Sequence, residues 1–353
     1  MKRIETLRHK MIEQKLDAVL VSKPENRYYL SGFTGSTGTV LITRDEQFFL
    51  TDFRYTSQVK QQCPGYQVIQ ISQADPIYQA INQKVTGTIG FEDDFMTVEN
   101  YGLYSSKLEA EMVPMKRLLE DLRVIKDDEE IALMKQAQAI ADLAFEHILG
   151  FIRPGVTEIE VANELIRFMK SHGASGESFE IIVASGVRGA MPHGVASEKV
   201  IQPGELVTLD FGCVYRGYCS DMTRTVAVGQ VSDELQSIYN IVLQAQKTAL
   251  AAVKPGVTGQ QLDTIARDMI TEAGYGDYFG HGLGHGVGLE IHERPSINQA
   301  GSETLRPGMI ITDEPGIYID NLGGVRIEDI ILVSEDGYEV LSSSPKELIV
   351  LPT

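Results

Sequence analysis

Apolar residues recur along this chain with two different periods, and the changes from one to the other predict its elements. Residues 4–16 carry theirs at helical spacing and predict an amphipathic helix. Residues 18–21 are a short unbroken apolar run, read as a buried strand. Residues 39–43 and 48–51 flank the turn Arg44-Asp45-Glu46-Gln47 and predict a hairpin. Further strands are read at 66–71, 88–91 and 111–115, separated by helical stretches near 53–62, 75–84, 97–109 and 116–122. Strands interleaved with helices make residues 1–123 an α/β domain. The turn-rich run from Ser31 to Gly38 is a candidate mobile loop. Its glycines do not open a helix after a strand, so a phosphate cradle is excluded.

A second domain, 124–353, follows. Asp127 or Asp128 can cap a helix that runs to about residue 151, with Glu129 and Glu130 in its first turn. From there the chain repeats itself. Arg153-Pro154-Gly155-Val156-Thr157 recurs as Lys254-Pro255-Gly256-Val257-Thr258, 101 positions on. Pro203-Gly204 recurs as Pro307-Gly308, and each leads into a strand with an acid seven positions after the proline, Asp210 in one copy and Glu314 in the other. Each acid is followed by another, Asp221 and Glu328. The spacing predicts two αβ halves related by a pseudo-twofold axis, with homologous acids converging on it.

The first of these acid pairs sits in residues 207–228, which read as a β-hairpin. Arg216-Gly217 marks the turn, and if it centres near Tyr215-Arg216, Asp210 and Asp221 face each other. Directly paired residues have Cβ atoms roughly 4.5–5.5 Å apart. Two carboxylates that close among apolar neighbours require a shared proton or a cation.

Composition narrows the class. The chain has 353 residues, 43% hydrophobic and 23% charged, enough for two domains with ample core. Its net charge of −18, with no basic block, argues against a nucleic-acid or anionic-membrane partner. The charged amino-terminal stretch has no apolar core of a secretory leader, and no run of 18 apolar residues predicts a membrane span. Three cysteines, an odd and sparse set, suit a reducing, cytoplasmic setting. Cys213 and Cys219 could face each other across the hairpin, but a disulfide there is not the expectation.

A nitrogen donor is also available. Residues 279–293 hold His281, His285 and His292 among glycines that let backbone approach a ligand. The run lacks the second histidine of HExxH, so a zincin is excluded.

Asp210, Asp221, the HGLGHGVGLEIHE run from His281, the DEPGIY run from Asp313 and the GVRIED run from Gly324 together resemble the five-ligand signature of the pita-bread-fold metallopeptidases. That family includes methionine aminopeptidases, Xaa-Pro dipeptidases (prolidases) and aminopeptidase P. The resemblance covers 124–353. The first domain, with YYLSGFTGSTG and TDFRY, is similar to the creatinase-like domain of bacterial prolidases and aminopeptidase P. It implies an α/β creatinase-like domain followed by an α+β pita-bread domain with duplicated halves. It also implies two divalent metal ions held by Asp210, Asp221, His285, Glu314 and Glu328, the second and last bridging. Oxygen ligands with one imidazole favour Mn²⁺, with Co²⁺, Zn²⁺ or Fe²⁺ possible.

The resemblance further implies a metal-bridging hydroxide attacking the scissile carbonyl, with Glu314 carrying the proton to the leaving nitrogen. His292 is the candidate oxyanion donor, and His193 and His281 line the substrate pocket. Each of these histidines could instead serve only to hydrogen-bond a ligand. Arg326, two before Glu328, would orient Glu328 or a substrate carboxylate, and Thr223 would hydrogen-bond a ligand. Two positions depart from the family pattern. Asp313 replaces an apolar residue and should point away from the metals: either it pairs with a nearby cation or the metal environment is unusual. Leu283 stands where relatives often have threonine and would alter pocket polarity. The implied function is hydrolysis of Xaa-Pro bonds in short proline-containing peptides by a homodimer, with the dipeptidase favoured over aminopeptidase P. A non-catalytic peptide-binding relative is the contrasting class, told apart by metal dependence.

Overall fold

The structure, a computed structural model, describes residues 2–74 and 76–353. Asp75, where the helix expected near 75–84 would begin, lies outside them. The chain divides into two compact units, Met1–Arg123 and Val124–Thr353.

The first unit is built on strands β1 (Ala18–Val21), β2 (Thr39–Thr43), β3 (Gln47–Thr51), β4 (Gln67–Gln70), β5 (Thr88–Phe91) and β6 (Glu111–Pro114). They form one sheet in the order β4-β3-β2-β1-β5-β6. β1 is central, antiparallel to β2 and parallel to β5, and all four of its residues are buried. That is why it reads as an unbroken apolar run. The helices are α1 (Lys2–Glu13), α2 (Pro24–Ser31), α3 (Thr56–Gln62), α4 (Ile77–Asn82), α5 (Val98–Lys107) and α6 (Leu118–Arg123). The periodicity reading has no counterpart for α2. Pro24 at its start and Gly32 at its end, with φ 72°, are the signals that mark it. The run after it, the candidate mobile loop, is hydrogen-bonded back to α2. Arg27 donates to the carbonyls of Gly35 at 2.9 Å and Gly38 at 2.8 Å, and Phe33 is buried against Phe49.

The second unit opens with α7 (Asp128–Leu149) and α8 (Glu158–Ser171). Asp127 and Glu130 close a capping box at the start of α7. Strands β7 (Gly176–Glu177), β8 (Ile182–Ser185), β9 (Glu205–Phe211), β10 (Cys213–Tyr215), β11 (Tyr218–Cys219) and β12 (Met222–Val228) follow. Then come α9 (Asp233–Ala251) and α10 (Gly259–Glu272). The chain continues with β13 (Gly284–Gly286), β14 (Glu293–Ile297), β15 (Ile310–Asp313), β16 (Gly316–Ile319), β17 (Gly323–Arg326), β18 (Asp329–Val333), β19 (Tyr338–Val340) and β20 (Val350–Leu351). The two larger sheets run β20-β12-β9-β8 and β14-β13-β15-β18-β19. Each has its own apolar core. Phe145, Leu165 and Phe211 lie in the first half's, and Tyr239, Leu262 and Ile311 in the second's.

The repeated sequences occupy repeated geometry. Thr157 and Thr258 each cap the following helix in a capping box, with Glu160 and Gln261. Gly155 and Gly256 share φ 92°, and their N–H groups donate to Ile201 and Leu305. Gly204 and Gly308, at φ 84° and 86°, donate to Val228 and Val333.

The register corrects one expectation. The first hairpin turns at Arg216-Gly217, both in the left-handed region with φ 47° and 86°, the pattern of a type I′ turn. Asp210 therefore pairs with Thr223, not with Asp221, which lies diagonally on the same face. In the second half Asp313 pairs with Asp329, so one step further sets Glu314 across from Glu328. Asp210 and Glu314 are thus equivalent. Glu328, however, corresponds to Thr223, and Arg326 to Asp221, so the second acids are not homologous. No disulfide joins Cys213 to Cys219. Cys213 Sγ lies 3.4 Å from the Ala137 carbonyl, and Cys219 Sγ lies 3.8 Å from that of Leu289.

Candidate metal centre

The two hairpins bring their acids to one place. Asp210 is near the end of β9, Asp221 precedes β12, Glu314 follows β15 and Glu328 precedes β18. His285 comes from β13, its backbone N–H held by Thr312 Oγ1 at 3.0 Å. Asp221, His285 and Glu328 each offer a ligand atom, all within 4.8 Å of one another. His285 Nε2 is also 3.3 Å from Glu314 Oε1 and 3.6 Å from Asp221 Oδ2. The Thr223 hydroxyl donates to Glu328 Oε2 at 2.7 Å, and that of Thr312 to Glu314 Oε1 at 3.1 Å.

The electrostatics of this cluster are unfavourable without a cation. Burial, then the charge of Asp210, pushes the Asp221 pKa well above the ordinary carboxylate value. Burial and then Asp221 do the same to Glu328. Asp210 is raised by burial, opposed by Arg326. Burial also acts on Glu314, but the hydrogen bond and charge of His285 outweigh it and hold Glu314 at about 2. Burial disfavours a charged His285, yet Glu314 and Asp221 raise it to about 9. These shifts are the response of carboxylates crowded together out of water.

The donor set fits a divalent metal. His285 Nδ1 lies 3.0 Å from the Gly286 carbonyl, which can only accept, so Nδ1 carries a hydrogen. In the neutral ring Nε2 then presents its lone pair to the acids, as a metal ligand must. Asp210 Oδ1 is buried and makes no hydrogen bond, a vacancy in its bonding that a cation would fill.

Arg326 reaches Glu328 through the Thr223 hydroxyl, and its direct carboxylate partner is Asp210. It is buried, and its guanidinium reaches Asp210 Oδ2 at 2.6 Å, Thr223 Oγ1 at 3.1 Å, the Tyr318 hydroxyl at 2.9 Å and the Pro192 carbonyl at 3.1 Å. It crosses the axis to fix Asp210; four of its five N–H groups are engaged, leaving little for a substrate carboxylate. Tyr318 was not legible as a site residue. Its hydroxyl lies 2.8 Å from His281 Nε2, while His281 Nδ1 faces the Gly282 carbonyl at 2.7 Å. Both ring nitrogens of His281 are therefore engaged within the protein. Burial lowers its pKa. His292 is solvent-accessible, its ring 4.3 Å from that of His285, and partial burial followed by the charge of His285 lowers its pKa. His193 is exposed, close enough to His281 and His292 for its charge to weigh on both.

Both departures from the family pattern are buried. Asp313 is turned away from the ligands but pairs with no cation: neither of its buried oxygens makes a hydrogen bond. The nearby Arg224 and Lys346 serve Asp329 instead, at 2.8 and 2.5 Å. Burial and then the charge of Asp329 push the Asp313 pKa well above the ordinary value. Leu283 lies in the second half's apolar core, 1% exposed, so it does not set pocket polarity.

An α/β domain followed by a duplicated α+β domain, with an acid-rich cation site between the halves, defines a two-domain metallohydrolase. Residues 132–335 match the model of metallopeptidase family M24, and residues 3–125 that of the creatinase/prolidase amino-terminal domain. The chain belongs to family M24 and is a metal-dependent peptide hydrolase. It is similar to an Xaa-Pro dipeptidase of Pyrococcus furiosus, 43% identical over 98% of this chain and 99% of the relative. Among solved structures it resembles an Xaa-Pro dipeptidase from Bacillus anthracis, 52% identical with a TM-score of 0.97, covering 99% of both chains. It also resembles an X-Pro aminopeptidase from Thermotoga maritima, 38% identical with a TM-score of 0.91, covering 95% of this chain and 98% of that one. No helix among the described residues is long and apolar enough to cross a membrane.

Proposed function

We propose that this chain is an Xaa-Pro dipeptidase that uses two divalent metal ions, Mn²⁺ foremost, held by Asp210, Asp221, His285, Glu314 and Glu328. The observation that carries the metal site is the convergence of His285 Nε2 with the Asp221, Glu314 and Glu328 carboxylates. Charge supports the count of two. Four carboxylates and Arg326 sum to −3, which two divalent ions and one hydroxide cancel. Bound there, such ions supply a water that ionises near neutral pH and a Lewis acid for the scissile carbonyl.

The protein's own groups do the rest. Glu314, buried beside His285, accepts a proton and returns it to the prolyl nitrogen. That nitrogen is a tertiary amide with no hydrogen of its own, so a donor must reach it. His292 is accessible and beside His285, suited to donate to the developing oxyanion. His193 opens to substrate, and His281 lines the pocket through its link to Tyr318. Arg326 positions Asp210 rather than reading a substrate carboxylate. A cytoplasmic homodimer acting on short peptides completes the reading.

Aminopeptidase P is the second reading, favoured by the likeness to the Thermotoga enzyme over nearly the whole chain. A non-catalytic binding role is disfavoured by the full set of donors. The test is hydrolysis of an Xaa-Pro dipeptide and an Xaa-Pro-Yaa tripeptide by metal-free protein, with and without Mn²⁺. Metal-dependent cleavage of the dipeptide alone is expected. Preference for the tripeptide makes the protein an aminopeptidase P, and cleavage of neither with any divalent metal overturns the proposal.

A further inference from the structure

Behind the metal centre, each half carries a buried acid bound to an arginine, and each pair suspends the loop that bears a pocket histidine. In the second half the acid is Asp263, on α10 and fully buried. Arg267, one turn on, grips both its oxygens, with Nε to Oδ2 at 2.8 Å and Nη2 to Oδ1 at 2.9 Å. The rest of the guanidinium goes to the loop. Nη1 donates to the Phe279 carbonyl at 2.8 Å and Nη2 to the His281 carbonyl at 2.7 Å, with the group stacked 4.3 Å over the Phe279 ring. Asp263 Oδ1 also accepts the Leu283 N–H at 3.0 Å. The Leu283 carbonyl in turn accepts the Glu314 N–H at 2.8 Å. Two rigid side chains on one helix thus fix the backbone of His281 and, one hydrogen bond further, that of Glu314.

The first half reaches the same arrangement with different residues. The counterpart of Asp263, 101 positions earlier, is Ala162. Glu158, one turn before it on α8 and fully buried, supplies the carboxylate. It accepts from the backbone and hydroxyl of Ser185 and of Ser197, and from Arg188. Arg188 belongs to a short 3-10 helix, Gly186–Ala190, rather than to α8, and donates to the Val195 carbonyl at 2.8 Å. His193 lies inside the segment so held. The halves share no residue of this device, so it is not a leftover of their common fold. A bare acid buried at either place would be costly. Paired and multiply bonded, it is stiff.

We infer that Asp263 and Arg267 are positioning residues for the catalytic centre: they set the loop 279–283 so that His281 meets Tyr318 and Glu314 stands at the metal site. The inference rests on the proposed role of that site. It predicts an effect transmitted through His281, which a general contribution to folding would not show.

Two measurements test it. In kinetics on whichever Xaa-Pro substrate the wild type cleaves, Arg267→Gln should lower kcat/KM ten- to a hundredfold. In a His281→Ala background the same change should cost measurably less than in the wild type, because the part of its route that runs through the imidazole is already cut. Arg267→Lys, which cannot match the planar fork, should rescue little. Asp263→Asn keeps the acceptor for Leu283 and should lose less than Arg267→Gln; it serves if Arg267→Gln does not fold. The second measurement is independent of activity: nitrogen NMR of ¹⁵N-histidine-labelled, metal-free protein, with His281 assigned from His281→Ala. The wild type should show His281 locked with its proton on Nδ1, and Arg267→Gln (or Asp263→Asn) should average the two tautomers. Additive losses in the double variant, or an unchanged His281 signal, overturn the inference. Absence of Xaa-Pro cleavage in the wild type would fail the functional reading alone, leaving the NMR arm to decide this one.

Discussion

At the scale of the residue, the site is a set of groups that burial alone would neutralise. Asp221 and Glu328 are pushed toward their acids, while His285, raised to about 9, is driven toward its cation. Arg326 shows how a buried charge is made to serve. It offers a planar fork to Asp210, the Tyr318 hydroxyl and a backbone carbonyl at once, which a lysine cannot do. Arg326→Lys keeps the charge and loses the fork. Groups that orient a metal ligand are typically worth about 10–100-fold in metal affinity. The variant should therefore bind Mn²⁺ about 10–100-fold more weakly by calorimetric titration, with KM within about twofold of wild type at saturating metal. A KM rise without loss of metal affinity would return Arg326 to the substrate.

At the scale of the element, much was legible and the gaps have physical causes. β1 and β5 were readable to the residue because both are wholly apolar or nearly so. The repeated Pro-Gly-Val-Thr turns were readable because a left-handed glycine and a capping threonine are local requirements. Register was not, because it hangs on which residue turns the hairpin. Arg216 takes φ 47°, a conformation its side chain does not advertise. Moving the turn by one position moves the partner of Asp210 from Asp221 to Thr223. The commitment of Arg326 to Asp210 was hidden for a related reason: the contact crosses between halves that no periodicity connects. The anchors at Asp263 and Glu158 are spaced differently in the two halves, so the search for repeats passes over them.

Helix surfaces make their own prediction. Glu164 on α8 accepts from Arg167 at 2.7 and 2.5 Å and faces His147 on α7 at 2.5 Å. The hydrogen bond from Arg167, assisted by His147 against burial, holds its pKa at about 2. A depressed carboxylate pKa adds stability above the unfolded-state value, near 4.3, and loses it as pH falls toward 2. Discounted for solvent screening, the contribution is on the order of 1 kcal/mol. Glu164→Gln should be less stable than wild type by about that amount at pH 7 in urea unfolding, and the gap should close by about pH 2. A gap that persists in acid would mean that packing, not charge, is lost.

At the scale of the whole molecule, the metal and the fold are linked. Ions that bind only the folded state stabilise it by about 2.7 kcal/mol at a hundred times their dissociation constant. All five proposed ligands lie in the second of two compact units. Chelation should therefore lower the melting transition of the unit spanning Val124–Thr353 and leave that of the first unit in place, as read by scanning calorimetry with and without excess Mn²⁺. A uniform shift of every transition, or none, would argue against a structural load at this site.

The unequal second positions of the two hairpins bear on a different matter, the polarity of the substrate. A peptide has a direction, from amine to carboxylate. A cleft with true twofold symmetry would accept it equally well either way round and would have no means of choosing an end. Two copies of the first hairpin would give such a cleft, ringed by aspartates and threonines alone. Placing Glu328 where its twin has Thr223, and Arg326 where its twin has Asp221, gives the cleft a front and a back. An exopeptidase must count residues from one end of a chain, and these two positions are among those at which the duplicated halves stopped being copies.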